Sequence, residues 1–145
     1  MRAFYNILAI LLFLGATAFL PQDGSDEVLE CASKAGPSAI YLKDFQVSLP
    51  AAEAGVKPPM YRQAVVLRGN SIYSFNVCNK QGEAVIRIYD SSRMILSSFD
   101  EETKQGKNQI LLSCKKTGPY NIVITFKDGN AGEAIGIMSN MQLKK

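Results

Sequence analysis

The first residues to test for chemistry are the acids Asp100-Glu101-Glu102, inside a polar stretch that runs to Asn108. Two carboxyl groups about 5–9 Å apart are the machinery of glycoside hydrolysis. Such chemistry also needs a substrate cleft, and a small domain with short loops offers little room for one. The run, with Asp90 and Asp128 in other turns, therefore reads as solvated turn acids, and no catalytic residue is assigned. It also lacks the alternating spacing of a dedicated calcium loop, so no metal and no cofactor is expected.

Nucleophiles fare no better, because the chain contains no His. That removes the usual general base near neutral pH, the partner of a Ser or Cys nucleophile, and the commonest transition-metal ligand. Ser91, Ser92, Ser97 and Ser98 have no base to activate them, and no local pattern supports a pairing with Lys104 or Lys107. Cys114 stands beside Lys115-Lys116, where a lowered thiol pKa is conceivable, yet a structural Cys near a strand end is the simpler reading. Gly129, Gly132 and Gly136 fit neither a P-loop nor a dinucleotide fingerprint. Tyr41, Tyr61, Tyr73, Tyr89 and Tyr120 would suit a sugar-stacking surface, but most fall at strand positions that core packing explains, and there is no Trp.

The amino end says where such a chain works. Arg2 supplies a positive start, Ile7 to Leu14 form an apolar run, and Ala16-Thr17-Ala18 has the small-x-small pattern of a signal-peptidase site. The alternative is a membrane anchor. The apolar stretch is shorter than the ~20 residues a spanning helix needs, and Pro21 and Gly24 follow it. A lipid-anchored chain would want a Cys directly after the apolar run, and the first Cys is Cys31, behind Glu30. The expectation is a cleaved signal peptide over residues 1–18 and a secreted or periplasmic mature chain with no membrane span.

Cleavage there leaves 127 of the 145 residues, enough for one domain with a real core. The formal charge of +3 falls by one with Arg2. So small a charge argues against nucleic acid or an anionic surface as an obligate partner. Lys115-Lys116 and Lys144-Lys145 read as solvated ends, since no basic stripe joins them.

Residues 19–37 form a lead-in. Ser25-Asp26-Glu27 suits the cap of a short helix over Val28 to Lys34, stopped by Gly36-Pro37, and an extended segment is the alternative. From residue 38 onward the hydrophobic period becomes two. Strands are predicted at Ala39–Leu49 (bulged near Lys43-Asp44), Tyr61–Leu67, Ser71–Cys78, Ala84–Tyr89, Met94–Phe99, Gln109–Cys114, Tyr120–Lys127 and Glu133–Asn140. Tyr73, Phe75 and Val77 point one way, and Ser74, Asn76 and Cys78 the other. Arg68-Gly69-Asn70 reads as a hairpin connection, and Asp128-Gly129-Asn130 as a tight turn. About eight short strands with regular turns predict an all-β antiparallel sandwich of jelly-roll type, with a closed barrel as the alternative. The longest loops are Ala51–Met60 and Asp100–Asn108.

One internal echo stands out. Cys78-Asn79-Lys80-Gln81-Gly82, then Ile86 and Ile88, matches Cys114-Lys115-Lys116-Thr117-Gly118, then Ile122 and Ile124. It suggests two equivalent hairpins. In an oxidising compartment two of the three cysteines are expected to pair. The echo invites Cys78–Cys114, but strands that reverse at each turn put those two at opposite ends of the domain. The same count places Cys31 near Cys114, which makes Cys31–Cys114 the preferred bridge, with Cys78 as the alternative partner.

Lys116-Thr117-Gly118-Pro119-Tyr120-Asn121-Ile122-Val123-Ile124 resembles the "G-x-Y-x-(apolar)-x-(apolar)" close of GOLD-type and pre-peptidase C-terminal β-sandwiches. Tyr73 to Val77 and Ile86 to Asp90 fit the inner strands of such domains. The mature chain is also similar to short secreted proteins of Bacteroidetes type. The resemblance covers roughly 61–139. It implies a non-catalytic accessory or interaction domain and carries over no site residue. Pre-peptidase domains are normally attached to an enzyme, and this chain contains none. The expected function is a binding module for a protein or cell-surface partner, contacted through the two long loops. A self-assembling envelope subunit is the alternative, and a small hydrolase using the acidic loop stands behind both.

Overall fold

The computed structural model describes residues 25–143, so the expected leader, residues 19–24 and the Lys144-Lys145 pair lie outside it. The chain runs through α1 (Ser25–Ser33), β1 (Ala39–Leu49), β2 (Tyr61–Leu67), β3 (Ser71–Gln81), β4 (Ala84–Asp90) and β5 (Arg93–Ser97). Two-residue strands β6 (Phe99–Asp100) and β7 (Gln105–Gly106) follow, then β8 (Gln109–Cys114), β9 (Gly118–Phe126) and β10 (Gly132–Met141). The strand boundaries lie close to those the period-two pattern predicts. The exception is the β6–β7 ribbon, which but for Phe99 lies in the stretch 100–108 read as a plain loop.

The eight long strands make two antiparallel sheets, ordered β1-β10-β3-β8 and β2-β9-β4-β5. Pairing is nested: β4 with β5, β3 with β8, β2 with β9 and β1 with β10. That is one long antiparallel ribbon, rolled up so that β10 also meets β3 and β9 meets β4. Nested pairing in two facing sheets is the jelly roll, and the fold is an all-β sandwich rather than a closed barrel.

Alternation builds the core. Phe45 and Val47 of β1, Tyr73, Phe75 and Val77 of β3, and Ile110 and Leu112 of β8 point inward from the first sheet. Ile86 and Ile88 of β4, with Ile122, Ile124 and Phe126 of β9, meet them from the second. Each fully buried Ile or Phe contributes about 1.5–3 kcal/mol of hydrophobic stabilisation. In β1 the register slips between Tyr41 and Lys43, next to the expected bulge.

Two sequence expectations are corrected. Arg68-Gly69-Asn70 is not a hairpin turn, because β2 and β3 belong to different sheets and the segment is a corner between layers. The two arms of the echo are likewise arches from one sheet to the other. They are still equivalent, for β3 pairs with β8 in one layer while Ile86 faces Ile124 and Ile88 faces Ile122 in the other.

Within the described part of the lead-in, a helix begins at Ser25 and ends at Ser33. Asp26 and Glu27 lie in the first turn, where acids favour a helix dipole. Gly36, at φ +97°, turns the chain out of the helix. Val28 and Cys31 lie on Ile135 and Ile137, covering the outer face of the first sheet. Lys80 pairs with Glu27 and fastens the helix to β3.

The bridge is Cys31–Cys78, with Cα atoms 5.9 Å apart, and Cys114 is a buried free thiol. The preferred Cys31–Cys114 pairing is therefore overturned, and so is the Cys78–Cys114 pairing that the echo invites. The reason is parity. Cys114 follows Ile110 and Leu112 into the interior, whereas Cys78 follows Ser74 and Asn76 onto the outer face where α1 lies. Cys114 also pairs with Ser71, at the other end of β3 from Cys78.

Candidate functional site

On the outer face of the second sheet, Val85 stands beside Thr125, and Arg87 beside Val123. These residues alternate with the inward Ile86, Ile88, Ile122 and Ile124, so simple alternation would leave them in solvent. Val85 and Val123 are nonetheless only 3% and 6% exposed. Loop segments close over this face and leave a cleft of about 540 Å³ between them. One wall is the first long loop, through Ala52, Pro58 and Pro59 with Pro50 just before it; the other is the second, through Glu101 and Lys104 with Phe99 just before it. The floor is Val85, Arg87 and Thr125, and the turn after β9 closes one end.

Each wall has its own anchor. The Ala52 amide donates to the Gly129 carbonyl at 2.7 Å, tying the proline-rich loop to the β9–β10 turn. That turn holds Asp128 at φ +57° and Gly129 at φ +68°, as the Asp-Gly-Asn signal implied. The second wall is a flap whose stem is Ser98. Its amide donates to the Ile86 carbonyl at 2.8 Å, and its hydroxyl accepts from the Ile86 amide at 2.9 Å. Lys107 then donates to the Ser98 carbonyl, closing the β6–β7 ribbon. At the tip, Asp100 accepts from the Glu102 and Thr103 amides at 2.8 and 3.2 Å. The Thr103 and Glu102 amides hold its carboxyl below the usual carboxylate range.

Three cations face two carboxylates in the cleft: Arg87, Lys104 and Lys127 against Glu101 and Asp128. Lys104 pairs with Glu101 at 3.1 Å. Lys127 pairs with Glu83 at 3.5 Å and lies 5.5 Å from the centre of the Phe99 ring, within cation–π range. Arg87 donates from Nη1 to Thr125 Oγ1 at 2.9 Å, and its Nη2 is 3.8 Å from Glu101 Oε1, too far for a hydrogen bond.

The two loops predicted from the sequence thus meet at one cleft, where short loops were expected to leave little room for one, and it brings together the candidates Glu101, Lys104 and Asp128 while the other chemical candidates stay apart. Asp100 is committed to its own turn, and Glu101 to Lys104. Ser91 occupies a tight turn at φ +56°. Cys114 Sγ contacts the Lys116 carbonyl at 3.3 Å. Tyr73 accepts from the Arg68 amide, and Tyr120 donates to the Lys116 carbonyl at 2.7 Å; both are buried. Tyr61 stacks edge-on with Phe45, and Tyr41 donates to Asp44 on the edge of the first sheet. Burial thus withdraws Tyr73 and Tyr120 from any sugar-stacking surface. Gly132 presses against the Phe126 ring and Gly136 against Phe45 and Ile124, so both serve packing. Among the described residues no three His, Cys, Asp or Glu side chains group as a metal site, and no helix is long and apolar enough to cross a membrane.

Arg87 and Thr125 are the site residues the sequence reading missed. The available signal was a charge flanked by Ile86 and Ile88. Alternation alone puts such a residue on the outer face, but nothing local shows that the face is roofed.

The protein is thus a jelly-roll sandwich with a loop-walled cleft on one sheet and a disulfide-pinned helix on the other. No protein-family model and no curated protein matches the chain. Among solved structures it is similar to Aeromonas hydrophila PliG, a periplasmic lysozyme inhibitor of g-type lysozyme. The identity is 10% and the TM-score 0.49, over 74% of this chain and 90% of that one.

Proposed function

We propose that the mature chain is an exported, non-catalytic module that binds a protein or cell-surface partner in the cleft between its two long loops. The observation that carries this reading is the convergence of both loops on one partly apolar recess over an otherwise ordinary sheet face. Recognition commonly resides in loops held by a rigid scaffold, and apolar recesses with a few placed polar groups are typical binding sites. The intramolecular disulfide supports an oxidising compartment, as the leader does. Glu101 is paired with Lys104 and Asp100 is held by the amides of its own turn, which favours holding a partner over acid–base work.

A photo-crosslinking amino acid at Ala52, on the cleft rim, tests this in native envelope material. A discrete adduct from Ala52, absent when the same group replaces Gln46 on the opposite sheet, is expected. Adducts of equal yield from both positions, or from Gln46 alone, would overturn the assignment. Replacing Asp100, Glu101 and Glu102 together checks the hydrolase reading, which requires an activity that this variant loses.

A second reading, self-assembly, draws on β1. It is an eleven-residue edge strand, and its Ile40, Tyr41 and Leu42 are 46%, 45% and 46% exposed. Unpaired edges invite another strand, while the bulge beside Lys43 and Asp44 opposes it. A mass by light scattering that grows with concentration would favour this reading over the first.

A further inference from the structure

We propose that the cleft recognises one side-chain carboxylate, delivered by an apolar segment of a protein partner, and that Arg87 is the group that reads it. The inference rests on the cleft being the binding site.

A guanidinium has five N–H donors in a planar fork. The Arg87 side chain is 25% exposed on the cleft floor, and among the described residues the hydrogen bonding of its guanidinium is limited to Thr125 Oγ1. The bond to Thr125 fixes the plane of the fork and leaves other donors for a ligand. A half-buried, oriented and incompletely satisfied guanidinium matches the geometry of a carboxylate better than a flexible ammonium would.

The other two cations are already answered, Lys104 by Glu101 and Lys127 by Glu83. Of the three, Arg87 alone has no carboxylate within hydrogen-bond distance, and one such cation suits one carboxylate. A phosphate-rich or sulfated polymer would want several. The walls match an apolar neighbour on the same segment, since Pro58, Pro59, Phe99 and Val85 line the same cleft as Arg87.

Glu101 indicates the bound arrangement. It sits on the flap, 69% exposed, with its carboxylate 3.8 Å from Arg87 and a closer partner in Lys104. It therefore stands near the position of the partner's carboxylate without making its hydrogen bonds. Entry of the partner displaces Glu101 toward Lys104.

The test is a titration of the mature protein, followed through backbone amides and the Arg87 Nε–H by NMR. The probes are a blocked glycyl-phenylalanyl-aspartyl-glycine amide and its asparaginyl twin. The aspartyl peptide should bind roughly tenfold more tightly, the size of a charge-assisted hydrogen-bond pair. The preference should vanish in Arg87→Gln, shrink in Arg87→Lys, which keeps the charge and loses the fork, and grow severalfold in Glu101→Gln. Unchanged dispersion of the amide spectrum verifies that each variant is folded.

Equal or undetectable responses to the twins, or a preference that survives Arg87→Gln, would overturn the proposal. So would tighter Arg87-dependent binding of inorganic sulfate, or of vesicles of equal phosphatidylglycerol and phosphatidylcholine, which would make the site a general anion or membrane contact. If the Ala52 adduct persists through such a failure, the cleft remains the binding site and only the carboxylate is lost. If the adduct is also missing, both readings go.

Discussion

At the scale of single residues, orientation decides role. Asp100 was a candidate acid because it heads a run of carboxylates. In the fold it accepts two backbone amides and shapes the flap tip. Its pKa is lowered in the folded state, so what it contributes is full above the ordinary aspartate value near ~3.9 and is lost as pH falls through the lowered one. The Glu102 and Thr103 amide resonances should therefore titrate together with a midpoint below that ordinary value. A midpoint at or above it would contradict this role. Gly132 makes a second case. A methyl group there would run into the Phe126 ring, so Gly132→Ala should cost about 1–3 kcal/mol in urea unfolding. The cysteines show how much was legible and where reading stopped. Alternation from Phe75 and Val77 puts Cys78 outside, and alternation from Ile110 and Leu112 puts Cys114 inside. Those parities exclude a bond between Cys114 and anything on the outer face. What the sequence lacked was the side on which α1 lies.

Among elements, long strands were readable and short ones were not. Tyr61–Leu67 and Gln109–Cys114 match the period-two pattern residue for residue, since one buried face imposes strict alternation on them. The β6–β7 ribbon has two residues per strand and so carries no period. Only its anchoring through Ser98 reveals it. The helix at 25–33 is too short to be stable alone and depends on the sheet beneath it. Its tether closes a loop of 47 residues. Replacing Cys31 and Cys78 by Ser should lower unfolding free energy by about 2–4 kcal/mol. The same variant should free the amides of residues 25–33 to exchange while protection in β3 and β10 persists. Uniform loss of protection would show that the helix and the sandwich are one cooperative unit.

Over the whole molecule, the sandwich class followed from strand count and turn spacing, while the roll did not. A three-residue link such as Arg68-Gly69-Asn70 serves equally as a hairpin or as a corner between layers. The choice is made by partners far along the chain, with β2 taking β9 and β3 taking β8 and β10. The same topology gives β10 a central place in the first sheet, between β1 and β3. Deleting residues 132–141 should therefore abolish cooperative unfolding altogether, a loss visible as a sloping, transition-free denaturant curve. Most native pairs also wait for the carboxyl end, which predicts slow folding for a domain of this size.

The order of the thiols has a consequence for biogenesis. The native link joins the first and second along the polypeptide and leaves out the third. A chain threaded amino end first into an oxidising space presents that pair before the last sulfur arrives. An oxidant that joins thiols in order of arrival makes the correct crosslink at once, with no reshuffling step, and the latecomer is sealed in the interior, away from further exchange.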